Sequence, residues 1–288
     1  MLLIRPIVTV ALLATALTAQ NDSSAGEIQL LVRGDDMGFC HSVNVACIEA
    51  YKNGIMRSVE VLVPGPWFLE AARMLRENPG LDVGIHLCLT SEWENCKWRP
   101  LTRAPSLVDA DGYFYPMAWQ RDGWPPNTAL VQAEPKMEEV EQELRAQIEM
   151  AKKHIPRLSH MTPHMGAAVT TPELRAVTEK LSKEYELPLD DVFTPMDRMI
   201  ENPESRTAYE AREPLWIKSL RDLKPGLWWI MGHPGLDTPE MRAIGHFGYE
   251  NVAEDRDAET RIFTNDAIKA LIQERGIKLV SYADLKGR

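Results

Sequence analysis

Short apolar runs alternate with amphipathic stretches from about residue 28 to residue 285. The runs that are short enough to be buried strands lie at residues 28–32, 59–63, 83–87, 158–161, 187–192, 227–231 and 277–281. Amphipathic stretches between them predict helices: Ser42 can cap the first, and Thr171 followed by Pro172 predicts the start of a later one. This alternation predicts an α/β fold with a parallel sheet and helical crossovers.

Side chains suited to metal binding fall where these apolar runs end. They are Asp35 and Asp36, His86, His160 and His164, and His233. Sites built from the carboxyl ends of several parallel strands are typical of (β/α) barrels, and an open doubly wound sheet is the competing architecture. Because residues 33–38 lack the glycine spacing of a phosphate loop, we favour a distorted (β/α) barrel of about seven strands, which need not be complete.

The adjacent acids Asp35 and Asp36 follow an apolar run, where uncompensated carboxylates repel each other and a cation relieves that cost. Aspartate and histidine together suit a divalent ion, which lowers the pKa of water and polarises a carbonyl oxygen. Asp35 is then placed to take the proton of the activated water as general base, and His233 is the candidate that protonates the leaving group. One metal, one base and one acid make a hydrolase for an amide or ester bond.

Each of these residues also has an interpretation without a metal. A single histidine near a strand end is more often only hydrogen-bonded, and Asp35 can cap the helix near Ser42 or pair with Arg33. His160 and His164 project to one side only if their segment is helical, which the intervening proline makes doubtful. The convergence of several such residues favours the metal site.

The chain has 288 residues, with 44% hydrophobic and 26% charged residues, which suits one large α/β domain or two small ones. A net charge of −10 without a dense basic tract argues against nucleic acid as a partner. Residues 1–20 combine a positive start, an apolar stretch and small residues, which predicts a secretory signal peptide and export; an uncleaved anchor is the alternative. We expect a single domain over residues 27–288, without a membrane span.

Two features between residues 88 and 132 leave alternatives open. Cys88 and Cys96 can form a disulfide after export, although free thiols are preferred. The irregular insertion over residues 90–132 holds half of the eight tryptophans. These aromatic side chains form either a rim that stacks on sugar rings or a small core under a long loop.

Four motifs resemble those of the YdjC-like carbohydrate deacetylases: Asp35-Asp36-Met37-Gly38, residues 83–90 around His86, His160-x-x-x-His164, and Gly232-His233-Pro234-Gly235. The resemblance extends from about Leu30 to Leu285. It implies a barrel-like fold related to polysaccharide deacetylases and one bound divalent metal ion, Mg²⁺ or Zn²⁺. It also implies removal of acetyl groups from N-acetylated sugars or oligosaccharides.

By position, the resemblance makes Asp36, His86 and His164 the metal ligands and Asp35 the general base. His160 matches a histidine near the metal and is a candidate to support the ligands, and His233 matches the histidine of the late His-Pro motif. Family members commonly carry an acid and a serine between the paired histidines, whereas residues 161–163 of this chain are Met, Thr and Pro. A metal-dependent esterase acting on acetylated glycans and a non-catalytic sugar-binding protein remain alternative functions, and the oligomeric state stays open.

Overall fold

The computed structural model describes residues 26–200 and 208–286, so the predicted signal peptide lies outside the described residues. The helices and strands, in chain order, are β1 (Ile28–Met37), α1 (His41–Lys52), β2 (Ser58–Val61), α2 (Phe68–Glu77), β3 (Asp82–Leu87), α3 (Met137–His154), β4 (His160–Pro163), α4 (Pro172–Tyr185), α5 (Tyr209–Asp222), β5 (Gly226–Gly232), α6 (Val252–Thr264), α7 (Asp266–Glu274), β6 (Lys278–Val280) and α8 (Tyr282–Leu285). In this part of the chain, no helix has the length and apolarity that crossing a bilayer requires.

All strands of the described residues belong to one sheet, and every strand pairing in it is parallel. The order is β4-β3-β2-β1-β5, and β6 pairs with the first half of β1. Leu30, Leu31 and Val32 of β1 are fully buried, as a central strand covered on both faces requires. The α/β prediction is therefore confirmed, and the carboxyl ends of the strands meet at one end of the sheet.

An irregular segment spans the gap between the two outer strands of the sheet, β4 and β5. At one side the Met161 N–H donates to the carbonyl of Pro188 at 2.9 Å, and at the other the Ile200 N–H donates to the carbonyl of Trp229 at 2.8 Å. Single parallel bridges accompany both contacts. The sheet is thus an incomplete, distorted barrel whose opening is filled by irregular chain.

The prediction of a strand at residues 187–192 is wrong. Leu189 makes one isolated bridge to Met161, and Asp190–Val192 then form a 3-10 turn. Pro188 has no N–H to donate to a ladder, and the Asp190 side chain turns inward to pair with Arg33 at 2.6 Å. Six strands are therefore present among the described residues instead of about seven.

Helix boundaries follow the sequence at some places and not at others. Thr171 caps α4 as predicted, since its side chain accepts a hydrogen bond from the Leu174 N–H. Ser42 does not cap α1, which begins at His41; the Ser42 hydroxyl lies inside the helix and donates to Glu240. Helix α6 has no counterpart among the predicted elements.

The tryptophans of the long insertion divide between the two interpretations. Trp93 and Trp98 are buried in the main core, where both rings contact Phe39. Trp119 is 47% exposed, so it is not part of that core. All four cysteines are free, which confirms the preference for unpaired thiols.

Candidate metal centre

A β-bulge in strand β1 brings the two adjacent acids to the same place. Gly34 pairs with Val59 of β2 and Met37 pairs with Val61, so Asp35 and Asp36 together stand opposite one residue of the partner strand. Asp36 has a backbone φ of +69°, in the left-handed region that residues other than glycine rarely adopt. In a regular strand the two side chains would lie on opposite faces, whereas the bulge lets both line one cavity.

Three side chains direct potential ligand atoms at a common point. Oδ1 of Asp36 lies 3.5 Å from Nε2 of His86 and 3.2 Å from Nδ1 of His164. One ligand atom from each residue lies within 4.8 Å of the others, and all three side chains are buried. Oδ1 of Asp36 has no hydrogen-bond partner, although it is out of contact with solvent. A buried oxygen without a partner between two imidazole nitrogens fits a divalent cation.

The second nitrogen of each histidine is held by another side chain. Nε2 of His164 lies 3.0 Å from a carboxylate oxygen of Glu92, and Nδ1 of His86 lies 2.7 Å from the hydroxyl of Thr162. Metal-binding histidines usually donate their other N–H in this way, which fixes the ring orientation and leaves the first nitrogen free for the metal. Neither supporting residue was identified from the sequence.

The protonation of the two histidines differs in the metal-free chain. Burial would lower the pKa of His164, but the carboxylates of Glu92 and Asp36 raise it well above its ordinary value. Burial and the neighbouring His164 lower the pKa of His86 well below its ordinary value. Binding of a cation between Asp36 and His164 would therefore have to displace a proton from His164.

The first acid, Asp35, is paired with Arg33. Nε and Nη2 of Arg33 lie 2.8 Å and 3.0 Å from the two oxygens of Asp35, so the pairing considered from the sequence is present. This pairing does not remove Asp35 from the site, because its Oδ2 lies 3.8 Å from Nε2 of His86. Burial raises the pKa of Asp35 to about 6, against the opposing effect of Arg33. The other alternative, a helix cap, is not observed: α1 has no side-chain cap.

The second acid, Asp36, is paired with Arg256 of helix α6. Nη2 of Arg256 lies 2.8 Å from Oδ2 of Asp36, the oxygen that faces away from the histidines. Burial would raise the pKa of Asp36, but Arg256 and His164 hold it well below its ordinary value. Asp36 is therefore an ionised potential ligand whose second oxygen is already occupied.

His233 follows strand β5 and lines the same cavity as the two acids. Its backbone N–H donates to a carboxylate oxygen of Glu259 on α6. Burial lowers the pKa of His233, with only partial compensation by Asp36, so its ring is neutral near pH 7. The role of His233 as a proton donor stays a prediction.

His160 is not part of the group of potential ligands. It is the first residue of strand β4 and is fully buried, with Nε2 2.8 Å from Glu60 and Nδ1 2.7 Å from the Ser159 hydroxyl. His164 lies just past the end of the same strand, at the mouth of the barrel. The four-residue spacing thus places the two imidazoles in different environments.

The cavity at this mouth has a volume of about 420 Å³ and holds Asp35, Asp36, His86, His164 and His233 together. Its other polar lining includes Glu92, Asp255, Arg256 and Glu259, and its aromatic lining is Trp93, His246 and Tyr249. This volume, together with the mixture of polar and aromatic side chains in the lining, is typical of a site that binds a small molecule.

A parallel, incomplete barrel with carboxylates and imidazoles at its carboxyl-terminal mouth defines an α/β protein with a candidate metal centre. The chain belongs to the family of YdjC-like proteins, whose model matches residues 29–274. A carbohydrate deacetylase of Thermus thermophilus is 32% identical over 240 residues, which are 76% of this chain and 82% of that protein. A carbohydrate deacetylase of Enterococcus faecalis is 28% identical over 279 residues, which are 89% and 98% of the two chains.

The fold is also found in a solved structure. An Enterococcus faecalis protein whose name proposes cellobiose-phosphate cleavage superposes with a TM-score of 0.70 at 27% identity. The superposition covers 90% of this chain and 99% of that one.

Proposed function

We propose that this protein is a divalent-metal-dependent deacetylase that removes acetyl groups from N-acetylated sugars or oligosaccharides. The observation that carries the proposal is the meeting of Asp36, His86 and His164 at one point, with the Asp35 carboxylate beside them. The relatives named carbohydrate deacetylases support the reaction and the substrate class. Mg²⁺ or Zn²⁺, when bound, would lower the pKa of water and polarise the acetyl carbonyl oxygen.

Asp35 would be the general base of this reaction. Its two oxygens are oriented by Arg33, and it is not one of the three residues whose ligand atoms converge. A pKa raised by burial to about 6 leaves the carboxylate ionised at neutral pH but more basic than an exposed aspartate. It can therefore accept a proton without giving up a metal bond.

His233 would donate a proton to the departing amine. Because its ring is neutral near pH 7, it must receive a proton during turnover before it can give one. Asp35 and Asp36 both favour the protonated ring electrostatically, so the cavity supplies the charge that such a transient imidazolium needs.

The walls of the cavity suit a sugar. Trp93 and Tyr249 line the cavity with aromatic side chains, and Glu92 and Asp255 line it with carboxylates that can accept hydrogen bonds from hydroxyl groups. A sugar has an apolar ring face with several hydroxyl groups at its edge, and it is therefore complementary to such a lining. This match supports a carbohydrate over an aliphatic substrate.

The test is acetate release from N-acetylglucosamine oligomers by the purified protein, after chelation and after addition of Mg²⁺ or Zn²⁺. We expect activity only with the metal. Asp36→Asn should lose more than the 10–100-fold that removal of a supporting partner typically costs, and Asp197→Asn, at an exposed acid, should behave as wild type. Metal binding without acetate release from any amide substrate would contradict the proposed reaction, and release from acetyl esters alone would replace it by an esterase.

We propose in addition that residues 1–20 direct export of the chain. The support is the order of a positive start, an apolar stretch and small residues at this end of the sequence. N-terminal sequencing of the protein recovered outside the cytoplasm should give a start near residue 21. A start at Met1 in a membrane-bound form would favour the uncleaved anchor instead.

A further inference from the structure

Three buried side chains from neighbouring strands form a hydrogen-bonded path that ends on His86. Nδ1 of His86 lies 2.7 Å from Oγ1 of Thr162, and this hydroxyl donates to Oε2 of Glu60 at 2.9 Å. Glu60 and Thr162 are fully buried and His86 is 2% exposed. Water therefore does not compete for these bonds, and each group must be satisfied by its neighbours.

The single proton of the Thr162 hydroxyl determines the direction of this path. Its acceptors are Glu60 at 2.9 Å and, at 3.5 Å, the carbonyl of Ile85. When the hydroxyl donates to either of them, its oxygen is left as the acceptor for an N–H at Nδ1 of His86. A neutral imidazole with its proton on Nδ1 has a lone pair on Nε2, the atom that faces Asp36.

Glu60 is held in place as an acceptor from its other side. Its Oε1 lies 2.8 Å from Nε2 of His160, whose ring stacks on Tyr282 with 3.8 Å between the ring centres. Burial would raise the pKa of Glu60, but His160 holds it below its ordinary value, so the group is a carboxylate. His160 thus acts on the site by fixing Glu60, which is linked to the candidate metal position through Thr162 and His86.

The backbone leaves space for this buried charge at Gly84. A Cβ at that position would lie 2.1 Å from Oε2 of Glu60 and 2.5 Å from Nε2 of His160. Strand β3 therefore cannot carry a side chain at position 84 without displacing Glu60 and His160. The arrangement of the two histidines is also unequal, because His164 has a carboxylate directly on its second nitrogen and His86 has one only through Thr162.

We propose that Thr162 and Glu60 are positioning residues that select the Nδ1-protonated tautomer of His86 and so make Nε2 the metal-binding atom. The proposal rests on the proposed function, since it assumes that a divalent cation binds beside Asp36. The negative charge that supports this ligand is supplied by Glu60 from strand β2 and is passed on by a hydroxyl group.

The test compares two substitutions at one position. Thr162→Ser keeps the hydroxyl, and Thr162→Val keeps the shape but removes it. We expect Thr162→Val to bind Zn²⁺ 10–100-fold more weakly than wild type by calorimetry, and Thr162→Ser to bind within a few-fold of wild type. Thermal unfolding in the presence of chelator shows whether both variants are folded, and Thr162→Ala replaces Thr162→Val if the latter is not.

A second readout is independent of the metal. The ¹⁵N chemical shifts of His86 in the metal-free protein report which ring nitrogen carries the proton. We expect the Nδ1–H tautomer in wild type and in Thr162→Ser, and loss of this preference when the hydroxyl is removed. An Nε2–H tautomer in the wild type would overturn the proposal, as would equal Zn²⁺ affinity in wild type and Thr162→Val. A wild type that binds no metal but shows the expected tautomers would refute the proposed function and leave the hydrogen-bonded path intact.

Discussion

Arg256 of helix α6 donates a 2.8 Å hydrogen bond to Oδ2 of Asp36, from 220 residues further along the chain. Both side chains are almost fully buried. Nε and Nη1 of Arg256 have no hydrogen-bond partner among the described residues; the guanidinium carbon instead lies 5.4 Å from the ring centre of Phe39 and 5.1 Å from that of Trp93. Arg256 therefore fixes one oxygen of Asp36 and leaves the other to the histidines.

The first prediction concerns this pair. Arg256→Met should destabilise the metal-free protein by about 3–5 kcal/mol, because it leaves the Asp36 carboxylate buried without its cation. Saturating Zn²⁺ should recover part of this loss, since a bound ion compensates the same charge. Urea unfolding with chelator and with Zn²⁺ measures both values.

A surface pair of the same residue types provides the control. Arg242 and Asp237 are 2.6 Å apart, but the Arg242 side chain is 65% exposed. Arg242→Met should cost less than about 1 kcal/mol and should be insensitive to Zn²⁺. An equally small cost for Arg256→Met in chelator would show that Arg256 does not compensate Asp36.

The second prediction is a dependence of turnover on the ionisation of Asp35. A general base must be deprotonated, so kcat/KM should rise with pH below the pKa of Asp35 and become flat above it. Burial raises this pKa to about 6 in the metal-free chain, and a bound cation lowers it, so the acid limb should lie at or below about pH 6. Measurement of kcat/KM with saturating metal from about pH 4.5 to about pH 8, on both sides of this pKa, tests the prediction.

Asp35→Asn should abolish the acid limb together with nearly all activity. It should keep the Zn²⁺ stoichiometry of wild type, because Asp35 is not one of the three converging residues. Loss of the metal in this variant would make Asp35 a ligand instead of the base.

The third prediction separates the two histidines of the His160-x-x-x-His164 motif. His164→Gln should lose bound Zn²⁺, because it removes one of the three converging ligand atoms. His160→Gln keeps an N–H donor for Glu60 and should retain the metal. Metal analysis after gel filtration measures the stoichiometry, and equal occupancy in the two variants would refute the assignment of His164 as the ligand.

The sequence pattern predicted the strands that carry the site because short, mainly apolar runs recur between amphipathic stretches. It also placed Asp36, His86 and His164 at strand ends, where the parallel sheet brings them together. The pattern alone could not distinguish His160 from His164, which only the family resemblance separated, since the end of β4 at Pro163 decides which imidazole reaches the mouth. The bulge that turns Asp35 and Asp36 to one side leaves no mark in the pattern.

Helix α6 was missed for a physical reason. A surface helix is recognised by an apolar stripe, whereas α6 buries charged residues that pair with Arg212 of α5 or with the site. Its buried residues include Asp255, Arg256, Glu259 and Thr260. The same polarity that hides the helix from a periodicity argument makes it a wall of the cavity.

The fourth prediction follows from one of these residues, Glu259, which is 4% exposed. Burial raises its pKa to about 7, and the hydrogen bond from the His233 N–H offsets this only in part. Between about pH 4.5 and pH 7 the folded chain therefore holds a proton at Glu259 that the unfolded chain has released. The free energy of unfolding should fall as the pH rises through this window, by about 3 kcal/mol from this group.

Glu259→Gln removes this titration and keeps the size of the side chain. We expect the stability of the variant relative to wild type to increase as the pH rises from about 5 to about 8, measured by urea unfolding with chelator. Glu254→Gln, at an exposed position of the same helix, should follow the wild-type profile. A constant difference between Glu259→Gln and wild type across this range would show that Glu259 is already ionised in the folded protein at pH 5.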